Sequence, residues 1–424
     1  MHISQCLKAD SFILRVLMVL MLGSTAWGAQ AQNTVSPYSV FGPGELQNRG
    51  FGVNRGMGGA GIAFKSRNYI NSLNPASYTG LDSLRIIAEC GLSAKSYKLS
   101  SKKDDRKGFT GNLGYVGLGF RYTSWMAGSI GVVPFSEVKY TIETTNNYVQ
   151  GTEAQYNATY DGSGGISQFY FGNAIRVFKN FSLGVNFSYM FGSLKQDESF
   201  SGSAVPSMQI SRYDYLRSLY FDFGLQYAFN IQETNFSFGA TYAPKQYLRS
   251  KHVVEVYNSS QSLISESEDR NSKNLRMPHI AGIGFGMEVP DKYRVALDYT
   301  FQKWSGIEYP TQDDDFVDLH KFAVGMEMHP WRYSMAQAAY KNWTYRAGAN
   351  FMRSYLKIGS HNIYKGSFTL GVGVPLPGKI SNINFSVTGG MEGTTANNLV
   401  KEKFLIFNLG FNFNEIAFIH RKFD

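Results

Sequence analysis

The chain has 424 residues, with 41 Lys and Arg against 32 Asp and Glu, for a formal net charge of +9 at pH 7. Beyond residue 31 no apolar run approaches the roughly 18 residues that a membrane-spanning helix needs, which excludes a helical membrane protein. Aromatic residues make up 15% of the chain, there are 44 Gly, and the mean hydropathy is −0.23. This mixture is typical of strands with one apolar face and one polar face.

The first 31 residues have the pattern of an export signal. A weakly basic start with Lys8 and Arg15 leads into the apolar run Val16–Leu22, and Ala29-Gln30-Ala31 offers a small-x-small cleavage site. We therefore predict a signal peptide over residues 1–31. Its removal leaves Cys90 as the single cysteine, so a disulfide-stabilised fold is excluded. The remaining basic excess favours contact with anionic lipid head groups over contact with nucleic acid.

Apolar residues recur with a period of two almost everywhere after residue 83. Between Phe181 and Phe191, for example, every odd position is large and apolar, whereas most even positions are Ser, Gly or Asn. Such alternation predicts a wall with lipid on one face and a lumen on the other. A water-soluble sandwich would place charged residues on its outer face instead. About fourteen segments of this kind predict an all-β transmembrane antiparallel barrel over residues 83–424.

The connections between these segments alternate between short and long. Short ones include residues 123–126 and 179–180, and long polar ones include residues 146–165 and 258–274. Bacterial barrels have short turns on the periplasmic side and long loops outside. We therefore predict an outer-membrane location in a Gram-negative bacterium, with both termini periplasmic.

Residues 32–82 lack the alternation and are rich in glycine. The stretch Arg55-Gly-Met-Gly-Gly-Ala-Gly-Ile-Ala63 allows tight turns and close backbone contacts, so the segment can fold compactly inside a barrel. Its Gly-x-Gly-Gly-x-Gly pattern superficially resembles a nucleotide-binding loop, but no βαβ unit surrounds it.

Together with that glycine stretch, Asn74-Pro75-Ala76 resembles the N-terminal hatch of the FadL/TodX family, the outer-membrane transporters for long-chain fatty acids and aromatic hydrocarbons. Later stretches are similar to the family in the same order: Phe238–Tyr242, Met277-Pro278, Asp298-Tyr299, Trp304-Ser305 and Tyr345–Gly348. The resemblance implies a monomeric barrel with residues 32–82 as a hatch, or plug, in the lumen. It also implies that hydrophobic small molecules pass without ATP and leave sideways into outer-membrane lipid, where the third strand kinks inward.

Pro134 lies inside the predicted third strand, in Gly131-Val-Val-Pro-Phe-Ser136. Proline cannot donate a ladder hydrogen bond, and a barrel in lipid must satisfy its backbone, so the strand must bulge or break there. We predict a lateral opening at Pro134, Phe135 and Ser136; the alternative is a bulge without a passage. Pro244 raises the same question in the seventh strand.

Two further interpretations stay open at this stage. Asn74, Pro75 and Ala76 are the predicted hatch or gate element, although Asn-Pro-Ala is also an ordinary turn. The barrel as a whole can instead be a shuttle or scaffold for exported proteins, similar to PorV of type IX secretion. An apolar pocket against the hatch together with a gap at Pro134 would favour transport, and a packed lumen would favour the shuttle.

Other chemistry finds no support in the sequence. The histidines lack metal-ligand spacing, and no nucleophile motif frames the serines, so we expect no metal, no cofactor and no enzymatic activity. Arg294, Asp298 and Glu327 are predicted to face the lumen, where mutual pairing is a simpler role for them than catalysis.

Overall fold

The computed structural model describes residues 36–102, 105–148, 153, 155–202, 206–307, 316–329, 338–376 and 381–416. The predicted signal peptide lies outside these residues. Fourteen antiparallel strands form one barrel, as predicted. In chain order they are β1 Arg85–Ser100, β2 Asp105–Arg121, β3 Met126–Tyr148, β4 Gln155–Phe178, β5 Phe181–Ser201, β6 Met208–Ile231, β7 Thr234–Ala243 with Gln246–Tyr257, β8 Leu263–Met277 with Ile280–Val289, β9 Tyr293–Gln302, β10 Leu319–Met328, β11 Thr344–Ile358, β12 His361–Pro375, β13 Asn382–Gly393 and β14 Lys401–Ile416.

The barrel closes because β14 pairs with β1 along its whole length, from Lys401 opposite Ser100 to Ile416 opposite Arg85. Each of the other strands pairs with its neighbours in sequence. Closure leaves no sheet edge facing lipid wherever neighbouring strands stay paired.

The predicted alternation is confirmed in β5. Leu183, Phe187 and Tyr189 are exposed on the outer face, whereas Ser182 and Asn186 are buried on the inner one. The outer wall is therefore apolar where the lumenal wall is small or polar, which is the arrangement that a barrel in lipid requires.

Several strands extend well beyond the segments predicted from the sequence. Residues 146–165 and 258–274 were predicted as long loops, but β4 already begins at Gln155 and β8 at Leu263. These loop predictions are wrong because alternation is required only where the wall touches lipid. Above that level both faces meet water, so the pattern disappears while the backbone ladder continues.

The segment before β1 has little regular structure. It contains two short 3-10 helices, Pro37–Val40 and Pro75–Gly80, the two-residue strand Glu45–Leu46 and one five-residue helix, α1, at Gly52–Gly56. Two more 3-10 turns, Ala339–Asn342 and Ala396–Asn398, follow later in the chain. No helix in the described part of the chain is long and apolar enough to cross a membrane.

Candidate functional site

Residues 36–82 contact the inner face of the barrel on nearly every side. Ten strands each carry a glycine where a Cβ atom would press against or overlap this N-terminal segment. They are Gly117, Gly172, Gly184, Gly224, Gly239, Gly284, Gly325, Gly348, Gly371 and Gly410. A segment that touches the same face of strands all around a closed barrel occupies its interior. The absent side chains let its backbone approach the wall closely.

Asn74, Pro75 and Ala76 attach this segment to the wall. The fully buried Asn74 donates its side-chain amide to Ile62 O and Leu225 O, both at 3.0 Å, and its Oδ1 accepts from the amide of Ala76 at 3.0 Å. The same side chain caps the 3-10 helix that begins at Pro75. These contacts are those of an anchor, and the gating role predicted for the three residues stays a prediction.

Residues 36–47, here called the arm, pair with β3. Glu45 lies opposite Glu137, and Leu46 lies opposite Ser136. The amide of Gln47 donates to Phe135 O at 2.9 Å. Because β4 occupies the other edge of β3, the arm must bond to the edge that faces β2.

That edge is available because β2 and β3 separate. They pair only from Val116 opposite Val132 to Arg121 opposite Ala127, so residues 105–115 of β2 face no ladder partner on β3. We call the gap between this stretch of β2 and the facing part of β3 the seam. Two side-chain contacts cross it: Asn112 Nδ2 lies 3.0 Å from Glu137 Oε2, and Arg106 lies 3.4 Å from Glu143.

Pro134 lies at the start of the seam. Toward β4, Pro134 pairs with Ser167, whereas Ser136 pairs with the adjacent residue, Ile166. Phe135 is therefore the extra residue of a β-bulge. On the side of β2, pairing has stopped two residues earlier, at Val132. The predicted irregularity is thus a bulge toward one neighbour and a break toward the other, and its use as a lateral opening stays a prediction.

Pro244 interrupts β7 without opening the wall. Ala243 and Gln246, on either side of the break, still pair with Ile280 and Met277 of β8. Toward β6, the Gln246 side chain bonds to both the amide and the carbonyl of Phe221, at 2.9 and 3.0 Å, and so replaces the missing ladder bonds. The comparison shows that a proline alone does not produce a seam in this barrel.

Behind the seam lies a cluster of buried apolar side chains, here called the apolar cluster. Phe135, Ile166, Leu194 and Leu216 belong to it, as do Tyr140, Met190, Tyr220, Leu248, Trp304 and Tyr355. The arm contributes Tyr38, and its residues Val40, Phe41 and Leu46 pack against the cluster. The arm therefore fills this apolar region. Of the two features that would favour transport, the strand break beside Pro134 is present, whereas the apolar region behind it is packed rather than open.

An ion-pair network holds the arm from the other side. Glu45 lies 2.5 Å from Lys365 and 3.4 Å from Lys95, and Lys95 also lies 2.7 Å from Glu402. Burial by itself would raise the pKa of Glu45, but the charges of Lys365 and Lys95 outweigh it and lower the pKa to about 2. Glu45 therefore stays ionised inside the barrel.

The predicted network of Arg294, Asp298 and Glu327 forms only in part. Arg294 pairs with Glu327 at 2.8 Å, and Arg346, which the sequence analysis did not include, pairs with the same carboxylate at 2.5 Å. Asp298 instead accepts hydrogen bonds from the amides of Gly61 and Ile62, at 2.7 and 3.0 Å. It binds the N-terminal segment rather than its neighbours on the wall.

A cavity of about 1290 Å³ lies at the end of the barrel with the short turns. Lys65, Arg176 and Arg294 line it. Burial and the positive charge of Arg176 lower the pKa of Lys65 to about 8. Residues 65–69 and Gly80 of the N-terminal segment also line this cavity.

The two sets of residues predicted as sites lie apart, since Asn74 contacts β6 while Pro134 belongs to β3. Sequence reasoning missed the arm, whose lone acidic residue, Glu45, was its one chemical signal.

Ser36 bonds to Lys139 toward the long-loop end of β3, and β14 ends at the opposite side of the barrel. The predicted periplasmic location of both termini stays a prediction, as do the monomeric state and the domain boundary at residue 82.

Comparison with solved structures finds the same fold in other barrels. The toluene transporter TbuX of Ralstonia pickettii aligns with a TM-score of 0.60 and 16% identity over 86% of this chain and 98% of its own. A FadL homologue of Pseudomonas aeruginosa gives 0.59 and 13%, over 87% and 99%. The toluene transporter TodX of Pseudomonas putida gives 0.59 and 14%, over 89% and 100%. The predicted resemblance to the FadL/TodX family is therefore confirmed for the fold.

The shared fold and the apolar outer wall indicate an outer-membrane location. No curated protein matches the chain by sequence. The family model of BamG matches residues 12–424. Because this match covers nearly the whole sequence, the chain belongs to the BamG family.

Proposed function

We propose that this barrel lets hydrophobic small molecules cross the outer membrane by passive diffusion, with the N-terminal segment as plug and the seam as lateral exit. The observation that carries the proposal is the loss of β2–β3 pairing beyond Val116 and Val132, directly beside the apolar cluster. The structural neighbours TbuX and TodX are toluene transporters, which favours the same class of cargo. The packed apolar region is the feature expected of the protein-shuttle alternative, but none of the compared structures supports that alternative, and under the transport proposal the arm leaves this region when cargo passes.

The energetics favour a sideways route for such a cargo. Each methylene that leaves water gains about 0.8 kcal/mol, so an apolar molecule resists a wet pore but enters the bilayer readily. The arm now packs where the cargo would pass, with Phe41 and Leu46 against the apolar cluster. Transport therefore requires that the arm move away from β3.

A reversible crosslink tests this requirement. Leu46 and Ser136 lie directly opposite each other, so the changes Leu46→Cys and Ser136→Cys place two thiols across the arm–β3 pair. The native Cys90 is changed to Ser in every variant. We expect oxidation to reduce uptake of radiolabelled toluene or octadecene by intact cells at least about tenfold, and a reductant to restore it.

The matched control carries Thr369→Cys and Thr388→Cys on β12 and β13. Their hydroxyls lie 2.8 Å apart within a paired part of the wall, so the crosslink forms without touching the arm. Unchanged uptake after complete oxidation of the arm crosslink would refute the proposal. Equal loss in the control would do the same, because it would show that oxidation acts elsewhere.

A further inference from the structure

A polar cavity of about 310 Å³ lies within the seam, between β2 and β3. Its lining contains the side chains Arg55, Lys95, Thr110, Asn112, Ser136 and Glu137. The apolar cluster lies behind it, so any molecule that leaves through the seam passes these polar groups.

Two hydroxyl groups face this cavity without partners. Thr110 and Ser136 are only 2% and 3% exposed, and neither hydroxyl oxygen has a hydrogen-bond partner in the described part of the chain. A buried polar group without a partner destabilises the fold. Thr110 belongs to β2 and Ser136 to β3, so the two hydroxyls approach the cavity from its opposite sides.

The charged groups of the cavity already have partners. Arg55 donates to Gly50 O, Gly114 O and Asn408 Oδ1 at 2.8 to 3.2 Å. Lys95 lies between Glu402 and Glu45. The donors of both cations are thus engaged, those of Arg55 by neutral oxygen atoms and that of Lys95 by carboxylates.

The carboxylates in the cavity also disfavour the binding of an anionic ligand. Glu45 and Glu137 both line it, and Glu137 accepts one hydrogen bond, from Asn112. A negatively charged head group would therefore lie beside two carboxylates and would have to displace existing bonds of Arg55 or Lys95 to gain a cation. A neutral group with several hydroxyls would instead find two hydroxyls and two carboxylates with which to bond.

The outer surface beside the cavity is apolar. Phe109 and Leu113, on the β2 side of the seam, are 54% and 53% exposed. A hydrocarbon chain can lie against them while a polar head enters the cavity. The seam thus has one surface for each part of an amphiphile.

We propose that the seam binds a neutral amphiphile whose polar head carries hydroxyl groups, with Thr110 and Ser136 as the residues that recognise the head. This inference rests on the proposed function, because it specifies which hydrophobic cargo the lateral exit binds most tightly. Monoacylglycerols have the required chemistry, whereas fatty acids carry a negative head and alkenes have none.

Binding to purified full-length protein tests the head-group preference. Three probes share an eighteen-carbon chain: monoolein, oleate and octadecene. Their affinities are measured by calorimetry in an amine-oxide detergent, which carries no hydroxyl. We expect monoolein to bind most tightly, and Thr110→Val with Ser136→Ala to weaken its binding about tenfold, since each lost hydrogen bond contributes modestly. Octadecene binding should not change.

The control variant removes the same atoms elsewhere on the lumenal wall, with Thr369→Val and Ser188→Ala. Their hydroxyls bond to Thr388 and Gln168, away from the seam, so monoolein affinity should stay at the wild-type value. If oleate binds as tightly as monoolein, or if the Thr110 and Ser136 changes have no effect, the inference is wrong.

Uptake of the same three probes separates this inference from the proposed function. If octadecene or oleate enters cells through the seam, and the arm crosslink blocks it, while monoolein does not bind, transport stands and the head-group inference falls. If none of the probes enters whatever the state of the crosslink, the proposed transport falls. Monoolein binding that depends on Thr110 and Ser136 would still support the cavity as a head-group site.

Discussion

Gly224 contacts Asn74 and Pro75, and this contact allows a direct test of how the N-terminal segment is held inside the barrel. In a Gly224→Ala variant, the new Cβ would overlap Asn74 Oδ1 and lie 2.8 Å from Pro75 Cδ. Ordinary contacts between such atoms are about 3.5–4.0 Å, so Pro75 would have to move by roughly 0.7 Å or more. The shift would also strain the bond from Asn74 to Leu225 O.

The cost follows from these contacts. Overpacking of a tight site costs about 1–3 kcal/mol, and one weakened hydrogen bond adds about 1 kcal/mol. We therefore expect docking of the segment to weaken by at least about 2 kcal/mol, which is roughly a 30-fold change in a local opening equilibrium. The wall should survive, because Gly184 and Gly224 pair through their backbones.

Hydrogen exchange of the amides in residues 70–80 measures this opening. We expect the exchange rate of these amides to rise roughly 30-fold in Gly224→Ala. The exchange rates of the strand amides should stay unchanged, and so should the difference in gel mobility between the unheated and the heated barrel. Gly366→Ala is the control, since its nearest neighbour, Phe351, would lie 4.0 Å from the added Cβ. Equal protection of residues 70–80 in both variants would refute the idea that close approach at Gly224 holds the segment.

Two further predictions concern the anchor and the arm. Deletion of residues 74–76 should abolish uptake of hydrophobic probes while the barrel stays folded by circular dichroism, and unchanged uptake would contradict a gating role for them. Glu45→Gln should loosen the arm, because Lys95 and Lys365 would lose a shared counter-charge. This is checked by the mobility of a spin label at Val40. The pKa of Glu45 is lowered by the fold, so its stabilising contribution should be complete above about pH 4.5 and lost as the pH falls toward 2.

The strands in the membrane could be predicted because successive residues there face lipid and the lumen in turn, which makes apolar and polar residues alternate. Leu183 and Phe187 show this pattern directly. The parts of β4 and β8 outside the lipid could not be predicted in the same way, since water accepts polar residues on both faces. Their extension depends on ladder pairing between residues far apart in sequence.

The seam was half predictable. Pro134 is a local signal, because it cannot donate to a ladder wherever it lies in a strand. Pro244 carries the same signal, yet Gln246 seals that break through its contact with Phe221. The difference between the two prolines lies in their three-dimensional neighbours, which single-residue chemistry does not specify. The arm was missed for the same reason, since its partner is 90 or so residues away.

The arm and the seam depend on each other energetically. A strand edge near lipid leaves amides and carbonyls without partners, at a cost of several kcal/mol for each group that water does not reach. Through Glu45 and Gln47 the arm satisfies the edge of β3 that β2 abandons. The arm can therefore leave only if another molecule, water or a polar head group, takes over its bonds. A cargo with hydroxyls supplies those bonds itself, whereas a pure hydrocarbon leaves them to water, so the head group would lower the barrier to opening as well as fit the cavity.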